Sequence, residues 1–339
     1  MLADDAALAA PIEETVDSSL SAPVRPPRIW TVFATWLAAA FVGQTSVFAA
    51  MIGFGVVAGV ALGVQGVDPD TIPMRVTETV QNPFAALLLT LVPFQLGLLA
   101  VVWWAARCSA VPTYERLGLV PASGRELSRG RLALMAAFTV ATALGAVVGA
   151  SLLLGSEPPP TPVGSLVSNG SWWTLMLVSV VVSVLPALVE EIVFRGYIQR
   201  RLLQRWSPAA AIGVSTLLFA VLHADSLQHI IAVVPLGIVT GLVAHRTQSV
   251  KPGMLLHGVH NVAAVGFGAF GAALTPAFGE EVVGMILLGA IAVLGLVGLP
   301  AVIRLARSDK PRTEVAPVLD GDAGLATFLT ESGFASPAA

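Results

Sequence analysis

The sequence has 339 residues, 55% hydrophobic and 12% charged, with a formal net charge of −3 and a mean hydropathy of +0.82. That composition lies far outside the soluble globular range and implies an integral membrane protein. The charge balance excludes a nucleic-acid partner, and a single cysteine, Cys108, excludes an intramolecular disulfide.

Residues 1–28 are rich in Ala, Asp, Glu and Ser, with no basic region leading into a hydrophobic core. They read as a disordered tail rather than a cleavable signal. Eight apolar stretches follow, most of them near the ~20 residues that cross a ~30 Å hydrocarbon layer as a helix. They run Trp30–Leu62 (overlong, hence tilted or interrupted), Pro83–Ala105, Leu132–Leu154, Trp172–Val193, Ala209–His223, Ile230–Ala244, Met254–Phe270 and Val282–Ile303. Residues 308–339 read as a second disordered tail. The expected fold is all-α and polytopic, with about eight transmembrane helices.

Arg and Lys fall in alternate connections, at Arg25 and Arg28, Arg107 to Arg131, Arg200 to Arg205, Arg246 and Lys251, and Arg304 to Arg312. The intervening loops are acidic or nearly neutral. The positive-inside rule then puts both termini in the cytoplasm, in keeping with an even number of spans. Trp103, Trp104, Trp172 and Trp173 sit at helix ends as interfacial anchors.

Ionisable side chains inside a bilayer cost roughly 2.5–3.5 kcal/mol each on insertion scales, so each needs a partner or a function. Those to explain are Glu190, Glu191, Arg195, His223, His257 and His260, with Asn261 beside them. All lie in the second half of the chain, which leaves 29–130 as a transmembrane scaffold. Residues four apart share a helix face, so Glu191 and Arg195 form a structural ion pair while Glu190 points elsewhere, free for chemistry. Pro186, four residues before Glu190, frees a backbone carbonyl one turn earlier and favours a kink. His257 and Asn261 are again four apart, and Gly258 permits close helix approach. Asp225, His229 and His245 lie near span ends and read as solvated boundary residues.

Two chemistries fit this set. Glu190, His223 and His257 can ligate a divalent metal such as Zn²⁺ with a position left for water. Alternatively, Glu190 and His223 deprotonate water directly while His257 and Asn261 donate to the oxyanion on a scissile carbonyl. Both end in hydrolysis. No HExxH and no GxSxG occur, and the Gly321-Asp322 pair lies in the polar tail, so other intramembrane hydrolase signatures are absent.

The segments Glu190-Glu191-Ile-Val-Phe-Arg195, Phe219-Ala-Val-Leu-His223 and His257-Gly-Val-His-Asn261 resemble, in order and spacing, the EExxxR, FxxxH and HxxxN motifs of the CPBP family of CAAX prenyl proteases and bacteriocin-processing or immunity proteins, also called Abi. The resemblance covers about Leu132 to Phe270. It implies a catalytic core at 131–271, followed by a C-terminal transmembrane helix at 272–307. It further implies an intramembrane endopeptidase in which Glu190 and His223 activate water and His257 and Asn261 stabilise the oxyanion, in a family also described as metal-dependent. The expected substrate is a membrane-associated peptide or protein, and the expected setting a bacterial plasma membrane. A non-catalytic peptide-immunity or membrane binding protein is the alternative from another class.

Overall fold

The computed structural model describes residues 28–109, 111–123, 127–154, 162–169 and 171–307, and every regular element among them is helical. The two expected disordered tails lie outside the described residues, apart from Arg28. In chain order the helices are α1 (Trp30–Val64), α2 (Ile72–Gln81), α3 (Pro83–Arg107), α4 (Thr113–Arg116), α5 (Arg129–Leu154), α6 (Pro162–Asn169) and α7 (Trp172–Glu190). A π-helical segment, Glu191–Gln199, continues α7 into α8 (Arg200–Leu203), and α9 (Pro208–Val221), α10 (Leu227–Thr247) and α11 (Lys251–Ala306) complete the chain.

Local chemistry sets the helix starts. Asn82 accepts the backbone N–H groups of Phe84 and Ala85, with Pro83 at the first helical position of α3. Ser171, Ser207 and Ser226 do the same for α7, α9 and α10, accepting from Thr174, Ala210 and His229. α1 is continuous over 35 residues, or about 52 Å, so the interruption allowed for in its overlong apolar run does not occur.

Six helices are long and apolar enough to cross a membrane, making this a multi-pass membrane protein. The difference from eight has two causes. α9 has only 14 residues, because Leu222 and His223 turn off its end with i→i−3 hydrogen bonds. The last two expected spans belong to one element, α11, which breaks at Gly279 (φ 76°, ψ 162°), a conformation open to glycine alone at little cost. The two arms of α11 fold back on each other. A Cβ on Gly271 would lie 3.3 Å from Leu287 Cδ1, although a straight helix would hold these residues about 24 Å apart. Both arms lie along α5, the first through His260 on Thr139 and the second through Gly298 against Leu134 and Phe138.

The axis of the molecule is the long helix Trp172–Leu203, 56% of whose most apolar window is buried, against 6% for α1. α1 instead presents Phe41, Ile52, Val57 and Val60 outward, as a lipid-facing helix does. The π segment is wholly buried. It is held by two parallel bonds to α10, Arg195 Nη2 to the Gly237 carbonyl at 3.0 Å and Gln199 Nε2 to the Gly241 carbonyl at 2.9 Å. Gly241 permits that approach, since a Cβ there would lie 2.9 Å from Gln199 Oε1, and Gly237 lets α9 pack beside it, since a Cβ there would lie 2.6 Å from Thr216 Cγ2.

Gly196 packs directly on the Leu117 carbonyl, whereas a Cβ on Gly258 would meet only Ala187 and Ser183, at 3.8 Å. Gly196→Ala is therefore expected to cost about 1–3 kcal/mol and Gly258→Ala almost nothing, read by thermal unfolding in detergent. Equal melting of the two variants would contradict this packing.

Candidate functional site

Glu190 closes α7 and lies about 27 Å along the axis from Trp172 and about 20 Å from Leu203, in the interior of the longest buried helix. Its two oxygens face different groups. Oε1 accepts a 2.7 Å hydrogen bond from Gln95 Nε2 on α3, and Oε2 stands 3.7 Å from His257 Nε2 on α11. Glu191, fully buried one residue on, accepts from His257 Nδ1 at 3.1 Å and pairs with Arg195 Nη1 at 3.1 Å, both through Oε1.

The Glu191 contact fixes one proton: an ionised carboxylate only accepts, so His257 Nδ1 carries the hydrogen that points at Glu191, and its Nε2 faces Glu190. The chain Arg195–Glu191–His257–Glu190–Gln95 thus runs through four helical elements. Arg195 is further supported by the Gly237 carbonyl and by the face of Phe219, 4.7 Å from its Cζ. The N-terminal turn of α11 abuts the other Glu191 oxygen, since a Cβ on Gly253 would lie 3.0 Å from Oε2. The positive end of a helix therefore meets the carboxylate.

His223 ends α9, half-buried, with Nδ1 2.9 Å from the Phe219 carbonyl, so that Nδ1 donates and Nε2 is the free acceptor. It lies within electrostatic reach of Glu190 and His257 but hydrogen-bonds to neither. Asp225 is exposed and His229 half-buried, and the two pair at 2.9 Å, while the His229 ring meets the His223 ring edge-on at 4.9 Å.

Asn261 Nδ2 donates at 3.0 Å to the carbonyl of Val182 on α7. That carbonyl is four residues before Pro186, which has no N–H to offer it. One amide hydrogen of Asn261 therefore repairs the gap left by the proline, and the second is uncommitted. His260 is occupied elsewhere: Thr139 donates its hydroxyl hydrogen to Ala136, so its oxygen accepts from His260 Nδ1 at 3.0 Å.

The structure thus brings Glu190, Glu191, Arg195 and His257 into one buried polar cluster. His223 stands beside it, and Asn261 is on the α7 face one turn away. As a metal centre, Glu190, His223 and His257 offer suitable donor chemistry but not the arrangement. Among the described residues no three His, Cys, Asp or Glu side chains are placed to hold an ion. Gln95 is the residue that sequence reasoning passed over. Its signal was present, a fully buried amide inside an otherwise apolar span just after Pro93, and the cost argument applied to charged groups extends to it.

A buried carboxylate facing an imidazole, backed by a second carboxylate and a guanidinium inside a multi-span helical chain, is the equipment of an intramembrane hydrolase. Residues 171–263 match the family model described as Type II CAAX prenyl endopeptidase Rce1-like, so the chain carries a domain of that protease family. No curated protein and no solved structure matches.

The Pro186–Asn261 relation is testable by a double-mutant cycle. Asn261→Leu is expected to cost about 1–2 kcal/mol in the native background by orphaning the Val182 carbonyl. In a Pro186→Ala background, where the restored N–H serves that carbonyl, the cost should fall by at least about 0.5 kcal/mol. Strictly additive unfolding energies would refute the link.

Proposed function

We propose that the chain is a membrane-embedded endopeptidase that hydrolyses a peptide bond of a membrane-associated protein or peptide, with Glu190 as the group that activates water. The observation that carries this reading is the facing of Glu190 Oε2 and His257 Nε2 at 3.7 Å, too long for a direct hydrogen bond and short enough for one water to bridge. A water molecule lying across that gap donates to Glu190 and accepts from a protonated His257 Nε2.

The reaction then runs as follows. Glu190 takes a proton from the water as its oxygen bonds to the scissile carbonyl carbon. His257 and Asn261, with a proton on His257 Nε2 and the uncommitted amide hydrogen of Asn261, donate to the oxygen that becomes negative. Glu190 returns its proton to the leaving nitrogen as the C–N bond breaks, giving a carboxylate and an amine. His223 orients the water from the other side through its free Nε2. Glu191 and Arg195 hold His257 in register and stay charged throughout. Gln95 fixes the rotamer of Glu190 so that only one oxygen reaches the water.

The substrate class follows from the setting: a centre deep in the longest buried helix is reached by a chain terminus or loop already held at the membrane. The alternation of basic and acidic connections supports cytoplasmic termini in a bacterial plasma membrane, with the catalytic core within 131–271. A divalent ion such as Zn²⁺ is compatible with the donor types, and chelation followed by re-addition of metal distinguishes the two routes.

In reconstituted vesicles, Glu190→Gln, His223→Ala and His257→Ala should each lower cleavage at least about a hundredfold. Glu191→Gln should instead reduce folded yield, because it leaves Arg195 buried without its charge partner at a cost of about 3–5 kcal/mol. Comparing peptide termini in cells bearing the native chain or Glu190→Gln reveals substrate and activity together. Unchanged termini with full in vitro turnover by Glu190→Gln would end the proposal. Gln95→Leu should lower kcat about ten- to a hundredfold with little change in KM, since it misplaces the base without touching substrate.

A further inference from the structure

A second feature, remote from Glu190, concerns the opposite use of charge. Where α5 begins and α11 ends, a cavity of about 440 Å³ is lined by Arg131, Arg304 and Arg307 together with Met135, Val297 and Pro300. Arg131 is in the first turn of α5, and Arg304 and Arg307 stand three apart at the end of α11, so three cations converge from two helices. No Asp or Glu lines the cavity. Among the described residues none of the three guanidinium groups has an ion pair or side-chain hydrogen bond, and all three are exposed. Arg246, on α10, adds a further positive charge close by, with its Nη2 3.0 Å from the carbonyl of Ala306.

Three like charges around one cavity repel, and the arrangement is relieved by an anion. The remainder of the lining shows which anion. Leu134, Val297 and Pro300 continue the cavity down the apolar flanks of two membrane-crossing helices, so the occupant is charged at one end and hydrocarbon along the rest. We propose that this cavity binds an acidic phospholipid, its phosphate between Arg131, Arg304 and Arg307 and an acyl chain along Leu134, Val297 and Pro300. Bound there, the lipid ties the start of α5 to the second arm of α11, which packs on α5 through Gly298 against Leu134 and Phe138. The proposal is independent of whether Glu190 is catalytic.

The test uses the full chain purified in a neutral detergent. Native mass spectrometry and thermal unfolding are followed during titration with phosphatidylglycerol or phosphatidylcholine. The native chain should retain phosphatidylglycerol and melt higher with it, and phosphatidylcholine should do neither. The Arg131→Gln/Arg304→Gln/Arg307→Gln variant should bind phosphatidylglycerol on the order of a hundredfold more weakly, and the corresponding triple Lys variant should keep most of the affinity. The Lys variant and the native titration decide the matter should the Gln variant fail to fold. Equal retention of the two lipids by the native chain, or undiminished phosphatidylglycerol binding by the Gln variant, would overturn it. So would a lipid preference that emerges only after residues 308–339 are removed, which would make that segment, bearing Glu314, Asp320 and Asp322, the occupant.

Discussion

Everything about the centre depends on burying Glu191 and Arg195 together. Either ion alone in an apolar interior costs several kcal/mol, and their attraction repays this only if the remaining lone pairs and hydrogens are also satisfied. The fold surrounds the pair with polar partners from three directions. α10 supplies the Gly237 carbonyl to the guanidinium, α11 supplies the His257 N–H and its own N-terminal turn to the carboxylate, and α9 supplies the face of Phe219. Each partner belongs to a different helix, so satisfying one ion pair fixes how three helices sit around the fourth. The orientation of His257, and with it the Nε2 aimed at Glu190, is a consequence of that packing.

Pro186 shows the same economy at the level of the backbone. A proline inside a helix removes one hydrogen bond and leaves an acceptor that must be satisfied in an environment without water. Here the acceptor, the Val182 carbonyl, is met by Asn261 from α11, so the defect becomes an interhelical contact. It joins α7 and α11 one helical turn from the place where Glu190 and His257 face each other. The π segment that follows is another irregularity converted into contacts, through Arg195 and Gln199 on the α10 carbonyls. Departures from regular α geometry cluster in the stretch 186–199, which holds the proposed water-activating Glu190.

What could be read from the sequence was whatever follows from one helix at a time. Spacing of four put Glu191 with Arg195 and separated Glu190, because that relation is internal to a single helix. The freed carbonyl before Pro186 was legible for the same reason. Its partner was not, since Asn261 lies 79 residues away and only the packing of α7 on α11 joins them. Gln95 escaped notice because a neutral amide in an apolar span carries no charge to flag it. The count of spans differs in two places: Gly279, just before Glu280 and Glu281, turns the single element α11 back on itself between the two expected spans, and α9 ends early for want of length rather than of hydrophobicity.

The origin of Gln95 bears on how the domain works. The matched segment, residues 171–263, contains Glu190, Glu191, Arg195, His223, His257 and Asn261, yet two contacts to the centre and its flank come from outside it. Gln95 on α3 holds the inward oxygen of Glu190, and Thr139 on α5 holds His260, three residues from His257. In the proposed mechanism the carboxylate that acts on water keeps one oxygen engaged while the other is free, and within this structure the group that engages Glu190 belongs to the N-terminal helices. The scaffold at 29–130 is therefore part of the site's geometry as well as its enclosure. A core cut back to the matched residues would retain every acid and base but leave Glu190 free to rotate between its partners, a loss that orientation alone makes costly.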